Sequence, residues 1–523
     1  MPVADRAATP IGARAQVSPR DLALADRTGE ITWEQLSWIV DRAGAALTAA
    51  ARPGERWAVL GDNAAPTLLT HAAGLLCGVG TVALSRQLTS AELAYQLKDA
   101  GVVAVVTGAA GLSAVLEAAE QVPLRQVVVH GAAPAGQPVP VQAWDDWLIA
   151  ATSLPAPAAP PRPAAPMLVY TSGTTGRPRG TEVRWVAGEH ATSAGYLRAL
   201  IEESHTPPGV HLVAGPLQHN GPLTAVRHLL CGQPVVILER FDAERALAAI
   251  DRYRVTSTVM VPTHFQRLLA LPRADRERYD VSSMQLLAHT GSSCPTAVKE
   301  RMIEWFGPVL VESYGGSEVG TLCRIGSADW LARPGSVGRA VHPFEVVVLD
   351  QDGAELPPGK TGLLAFRAPP DRGIRYLHDP QKTAAAYVAP GVLTLGDVGH
   401  VDPDGFVYIT DRAADVVVSG GVNLYPAESE RALGAHPGVA DVAVIGVPDS
   451  DLGEALLALV VPTDPADAPG EEELTAWCRR ALASYKCPKR FEFVAELPRN
   501  AMNKLDKPAM RRPYWPASRT VAG

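Results

Sequence analysis

The chain has 523 residues, of which 47% are hydrophobic and 20% charged, with a formal net charge of -8. That length exceeds what one hydrophobic core usually organises, so two or more domains are expected. The acidic balance gives no footing for nucleic acid as a partner, and an acidic ligand would have to be held by local positive charge.

The opening stretch MPVADRAATPIGARAQ contains no apolar core of the secretory kind. The uncharged run at residues 100–116 includes glycines and falls short of the ~20 strongly apolar residues that a membrane span requires. Cys77, Cys231, Cys294, Cys323, Cys478 and Cys487 are scattered with no C-x-x-C pair. Reduced thiols in a cytoplasmic protein are expected, and a zinc site is not.

Thr32 and Gln35 have capping-box spacing ahead of Leu36, Ile39 and Val40, which predicts a helix. Residues 57–60 and 81–84 read as strands around a helix at 67–77, and Thr89 with Glu92 caps the next helix. Residues 102–106 and 126–130 are β-rich. Strands alternating with helices imply a parallel sheet covered on both faces. Residues 154–166, LPAPAAPPRPAAP, form a proline/alanine linker, read as a surface connection and not as a domain boundary.

Residues 167–170 then read as a short buried strand. It breaks into Thr171, Ser172, Gly173, Thr174, Thr175, Gly176, Arg177, Pro178 and Arg179. Glycines let the backbone turn and approach a ligand, successive N–H groups can form an anion-binding nest, and hydroxyls and arginines add donors and charge. The combination suits a polyphosphate. A Walker A loop needs G-x-x-x-x-G-K-[ST], and Pro178 with no lysine excludes it. The bland alternative is a Gly/Thr-rich turn after a core strand.

Further strands are predicted at 211–214 and 235–238, and helices at 244–253 and 264–271. A strand at 285–289 runs into the small-residue turn Thr290, Gly291, Ser292, Ser293. A helix at 296–306 leads to a strand at 309–311 and then to Glu312-Ser313-Tyr314-Gly315-Gly316-Ser317-Glu318. From residue 337 short strands at 345–349, 362–367 and 407–410, with Asp-Gly turns, indicate an antiparallel β-subdomain. Asp379-Pro380 supplies a cap and first-turn proline for a short helix. Around 411–415 the chain is expected to enter a smaller α+β domain, with helices at 427–433 and 471–482 and strands at 442–447 and 455–461.

The segment Y-T-S-G-T-T-G-R-P-R-G closely resembles the phosphate-binding signature of the adenylate-forming superfamily of acyl- and aryl-CoA synthetases, luciferases and peptide-synthetase adenylation domains. Four more segments resemble its conserved cores, in the family's order. The resemblance implies an α/β fold: a large N-terminal domain, 1–411, of layered α/β sheets plus the β-subdomain, and a small mobile α+β lid, 412–523, hinged near Ala414. It implies ATP and Mg²⁺ at Thr171, Ser172, Gly173, Thr174, Thr175, Gly176 and Arg179, with Glu318 and Thr174 toward the metal.

By the same resemblance, Gly291, Ser292 and Ser293 line adenine with backbone. Tyr314 and Gly315 face the base, and Ser317 meets the α-phosphate. Asp397 in Leu395-Gly396-Asp397-Val398-Gly399 takes the ribose diol with Arg412 in support, although on its own features Asp397 equally caps a turn. Gly420 and Gly421 would pass the thiol arm of coenzyme A. Lys504 in Pro498-Arg499-Asn500-Ala501-Met502-Asn503-Lys504 would drive adenylation. His219, Asn220, Gly221 and Gly316 are the implied acyl pocket, with Gly315 and Gly316 leaving its floor open.

Three positions depart from the family pattern. Arg179 stands where lysine is common, Asn503 replaces a glycine, and Ala414 occupies a hinge position usually Asp or Lys. The implied chemistry is a carboxylic acid converted to acyl-AMP and then passed to CoA. CoA is favoured because the chain ends soon after the lysine motif and because Tyr485-Lys486-Cys487-Pro488 resembles CoA ligases. The expected acid is bulky and hydrophobic: terpenoid, steroid-like, or a medium-to-long acyl chain. The alternatives are a free-standing enzyme loading a carrier protein's phosphopantetheine, or a nucleotide-binding regulator without catalysis. Whether the chain forms a homodimer is open.

Overall fold

The computed structural model describes residues 9–154, 165–171, 178–183, 185–186, 190–203, 207–419, 422–449, 452–499 and 504–515. Most of the proline/alanine linker lies outside these residues. By backbone contact the chain divides into two compact units, Met1–Pro343 with Ala368–Ala386, and Phe344–Arg367 with Tyr387–Gly523.

The first unit holds two sheets. One is seven-stranded, in the order Val141–Ala143, Gln126–His130, Val102–Gly108, Arg56–Leu60, Gly80–Ala83, Leu168–Thr171, Arg179–Glu182. Its neighbours pair in parallel except the last two strands, which are antiparallel with Thr171 opposite Arg179. Val105, Val106, Val127 and Val128 are fully buried, which is why these strands read as unbroken apolar runs instead of alternating ones. Both predicted capping boxes form: Thr32 with Gln35 starts the helix Trp33–Ala50, and Thr89 with Glu92 starts Ser90–Asp99.

The second sheet of this unit runs Gly29–Thr32, Leu22–Asp26, Val235–Ile237, Val210–Val213, Val255–Met260, Leu286–His289, Leu310–Gly316, Gly320–Gly326, Ser336–Ala340. It is parallel from Leu22–Asp26 through Leu310–Gly316 and antiparallel at both ends. Parallel strands present all their carboxyl ends at one edge, where open α/β sheets bind ligands. The segments after Val213, Met260, His289 and Val311 therefore gather at that edge. The strand Leu310–Gly316 continues past its predicted end at Val311, through Tyr314, and turns at residues 317–319. Tyr314 stands opposite Cys323 on the returning strand.

In the second unit Glu345–Leu349, Gly362–Arg367, Val392–Val401 and Val407–Arg412 form successive antiparallel pairs. The sequence hid the ten-residue strand Val392–Val401 because Gly396, Asp397 and Gly399 interrupt its apolar pattern. Gly399 has no alternative: a Cβ there would lie 2.1 Å from the Tyr408 carbonyl oxygen. Asp397 thus sits inside a strand, which overturns the reading of it as a turn cap. A separate five-stranded sheet, with Val439–Asp449 and Gly453–Pro462 as its long strands, packs Val444, Leu456 and Val460 against Leu433 and Leu474 of its helices.

The described residues contain no helix long and apolar enough to cross a membrane. None of the six cysteines is in a disulfide. Burial pushes the Cys294, Cys323 and Cys478 thiols up to about 12. Several histidines are interior packing groups. His71 bonds Thr81 Oγ1 at 2.8 Å, and His211 stacks on His228 at 3.9 Å. Burial pulls His71 down to about 3 and His228 to about 4.

Candidate nucleotide and acyl site

The loop that carries His219 is built by a residue that no motif marks. Asn63 donates from Nδ2 to the carbonyls of Gly215 at 2.8 Å and Leu238 at 3.0 Å, while its Oδ1 accepts from the Leu217 N–H at 2.9 Å. A buried amide satisfied in this way fixes the backbone at 215–217. His219 then precedes the helix Asn220–Leu230, whose first turn includes Gly221. A Cβ on Gly221 would meet Val259 at 3.2 Å and Thr290 at 3.8 Å. One on Gly291, whose φ is +92°, would meet Val261 at 3.7 Å. The start of that helix, the end of Val255–Met260 and the Gly291 turn therefore converge, with Ser292 and Ser293 exposed at the turn. Gly315 does something other than expected. A Cβ there would lie 1.9 Å from the Gly320 carbonyl oxygen, so its missing side chain serves the close approach of the two strands and does not open a pocket floor.

Behind these segments lies a buried charge cluster. Lys299, on the helix Thr296–Phe306, donates from Nζ to Glu312 Oε2 at 2.5 Å, and its side chain is 1% exposed. The same ammonium lies 4.6 Å from the ring centre of Trp330. His289 Nε2 is 3.7 Å from Glu312, and both of its ring nitrogens are buried without a hydrogen-bond partner. Burial lowers the Lys299 ammonium, raises the Glu312 carboxyl, and pulls His289 down to about 3. Glu312 and His289 lie on the strands that deliver Tyr314 and Gly291. The pair holds those strands in place, and removal of one partner would strand a buried charge.

Glu318, in the turn after Tyr314 and Ser317, is half-buried and accepts a hydrogen bond from the Tyr376 hydroxyl at 3.3 Å. Among the described residues no cation pairs with it, and no group of three metal-ligating side chains forms. A single open carboxylate fits Mg²⁺, which usually takes one or two carboxylates and completes its shell with substrate phosphates and water.

Tyr376 belongs to a segment that also reaches the strand after the phosphate-binding signature. The Leu377 N–H donates to the Gly180 carbonyl at 2.8 Å, and Thr181 bridges Tyr376. Asp379 pairs with Arg179 Nε at 2.6 Å, and Arg179 Nη1 donates to the Tyr95 hydroxyl at 2.8 Å. Asp379 also caps the helix Pro380–Ala385 by accepting the Lys382 N–H, as the sequence predicts. Thr171 ends its strand directly opposite Arg179. Ser172, Gly173, Thr174, Thr175 and Gly176 lie outside the described residues.

In the second unit Asp397 and Arg412 are cross-strand partners, and Arg412 Nε lies 3.1 Å from Asp397 Oδ1. Asp397 is 4% exposed while the Arg412 side chain is half-exposed, so the arginine screens a carboxylate that lies inside the strand pair. Ala414 has its carbonyl held by Arg511 Nη1 at 3.0 Å, and Arg511 also pairs with Asp415 at 2.7 Å. Lys504 is exposed; beside it Leu505 bridges Arg499, and the Asp506 N–H donates to the Pro498 carbonyl at 2.9 Å. Gly420, Gly421 and Asn503 lie outside the described residues.

A family model for AMP-binding enzymes matches residues 11–370, and one for the AMP-binding enzyme C-terminal domain matches residues 428–504. The chain belongs to the AMP-binding enzyme family. Over 506 residues it is 34% identical to a feruloyl-CoA synthase of Amycolatopsis sp, covering 96% of this chain and 97% of that one. It is 34% identical over 515 residues to the 3-[(3aS,4S,7aS)-7a-methyl-1,5-dioxo-octahydro-1H-inden-4-yl]propanoyl:CoA ligase of Mycobacterium tuberculosis, covering 94% and 96%.

Its structure is similar to that of O-succinylbenzoate coenzyme A synthetase from Bacillus subtilis in complex with ATP and magnesium. The TM-score is 0.78 at 28% identity, covering 96% of this chain and 98% of that one. This AMP-binding enzyme stands among the AMP-forming acyl-CoA synthetases, whose cofactors are ATP, Mg²⁺ and CoA. The superfamily resemblance and the layered α/β architecture with a small C-terminal domain are borne out.

Proposed function

We propose that this AMP-binding enzyme converts a bulky hydrophobic carboxylic acid to its acyl-adenylate and then to its CoA thioester. The observation that carries the reading is the match of both AMP-binding models to a chain in which Asp397 and Arg412 stand side by side. Asp397 accepts the two ribose hydroxyls and Tyr314 lies against adenine. The acid's carboxylate attacks the α-phosphorus of ATP, the bridging oxygen leaves with pyrophosphate, and Ser317 and Lys504 donate to the α-phosphate oxygens. Mg²⁺, held by Glu318 and by the nucleotide, supplies charge neutralisation on the phosphates.

The segment from 412 onward then turns about Ala414, withdrawing Lys504 and bringing up the Gly420-Gly421 side for the thiol. The bicyclic acid named for the mycobacterial relative supports a bulky substrate.

The test is pyrophosphate release across a panel of carboxylic acids, with and without CoA. Ring-bearing and long-chain acids should lead, and turnover of short polar acids alone would remove the acid assignment. Lys504→Ala should lower acid-dependent pyrophosphate–ATP exchange by roughly a hundredfold or more. It should leave thioester formation from supplied acyl-adenylate intact, and loss of both half-reactions would contradict the role given to Lys504.

A further inference from the structure

We propose that Lys382 is the cation that holds the β- and γ-phosphates of ATP and the pyrophosphate that departs. This rests on the adenylation reading above and names a binding residue that reading does not use.

Lys382 is half-buried, and its ammonium lies 4.4 Å from the ring centre of Tyr376, whose hydroxyl in turn bonds Glu318. One aromatic ring therefore separates this charge from the carboxylate proposed to face Mg²⁺. Among the described residues the Lys382 ammonium has no carboxylate or carbonyl partner. Burial lowers its proton affinity below the usual lysine range, while the nearby Glu318 and Asp379 charges oppose that shift.

A partly desolvated ammonium with no acceptor is an unfavourable arrangement that a bound anion relieves. Arg179, the other cation of this cluster, has already committed its Nε to Asp379 and its Nη1 to Tyr95. Among the described cations of this cluster, Lys382 is the one whose charge meets no acceptor. Its placement is set locally: Asp379 caps the helix on which it sits, and Thr383 Oγ1 accepts the Tyr376 N–H at 3.0 Å while donating to the Asp379 carbonyl at 2.8 Å.

In the reaction, the bond between the α-phosphorus and the oxygen bridging to the β-phosphate breaks, and its electron pair stays on that oxygen. Negative charge therefore grows on the pyrophosphate side as the acyl–O–P bond forms. Lys382 keeps its proton throughout and meets that growing charge.

The experiment is titration of the full-length protein with Mg²⁺-pyrophosphate, Mg²⁺-ATP and AMP, for the wild type, Lys382→Gln and Lys382→Arg. With Lys382→Gln, pyrophosphate and ATP binding should weaken roughly ten- to a hundredfold, the usual effect of losing a charged hydrogen bond, while AMP binding stays within about twofold. Lys382→Arg should recover most of the loss, and this split between AMP and pyrophosphate is one that a merely structural lysine would not produce. Unchanged pyrophosphate binding, or equal weakening for all three ligands, overturns the proposal. Should the wild type bind none of the three, the adenylation reading falls first and this one with it.

Discussion

Lys299 and Lys382 each have an ammonium over an aromatic ring, and burial lowers the proton affinity of both. They differ in what else they touch. Lys299 sits 2.5 Å from Glu312 with both side chains buried, whereas Lys382 is half-buried and no acceptor among the described residues takes its charge. The first arrangement is complete and can only hold strands together. The second is incomplete and asks for an anion. Partnership separates a structural cation from a ligand-holding one here, and neither residue type nor a cation–π contact does so.

The largest effect should follow from breaking the completed pair. Lys299→Met leaves Glu312 buried without its counter-charge and should cost about 3–5 kcal/mol of stability, read as a fall in denaturation midpoint. The double change Lys299→Met with Glu312→Leu should recover most of that loss; if the two losses simply add, the pair is not a coupled unit. Next, counted per residue and per pH unit, is the acid response. His71, His228 and His289 stay neutral in the fold down to about 3, 4 and 3. The unfolded chain takes up those protons from about pH 6.5 downward.

The stabilisation from these histidines is therefore whole above about pH 6.5 and is lost as the pH falls toward 4, by up to about 1.4 kcal/mol per pH unit for each. A melting temperature that is flat from pH 7 to pH 5 would exclude it. The smallest effect belongs to the open cluster. Tyr376→Phe removes one long hydrogen bond to Glu318 and should raise the Mg²⁺ concentration for half-maximal pyrophosphate exchange by roughly threefold. Melting should shift little, and an unchanged Mg²⁺ requirement would detach Tyr376 from the carboxylate.

Local features of this fold were legible. The Thr32 and Thr89 capping boxes, the Asp379 cap and the helix Thr296–Phe306 follow from neighbouring residues, and the chain had only to obey them. Asp397 and Arg412 could be paired in advance because the motif names both, although the strand carrying Asp397 was hidden by its glycines. What stayed illegible depends on distant contacts. Arg179 meets Asp379 across 200 residues of chain, a pairing that no local signal announces. Asn63 organises a loop 152 residues away with no local signature. Gly315 looked like empty space and is instead a place where two backbones nearly touch.

The buried thiols bear on how such an enzyme coexists with its own co-substrate. A group raised to about 12, as at Cys294, Cys323 and Cys478, exposes only about one part in 10⁵ of nucleophilic sulfur at neutral pH. Exchange with oxidised CoA or glutathione needs that anion. Preparations kept in air alongside CoA disulfide should therefore carry no mixed-disulfide adduct at these three positions. Cys294 follows directly on the Gly291–Ser293 turn, and a thiol held at that proton affinity would be a poor acceptor for an acyl group.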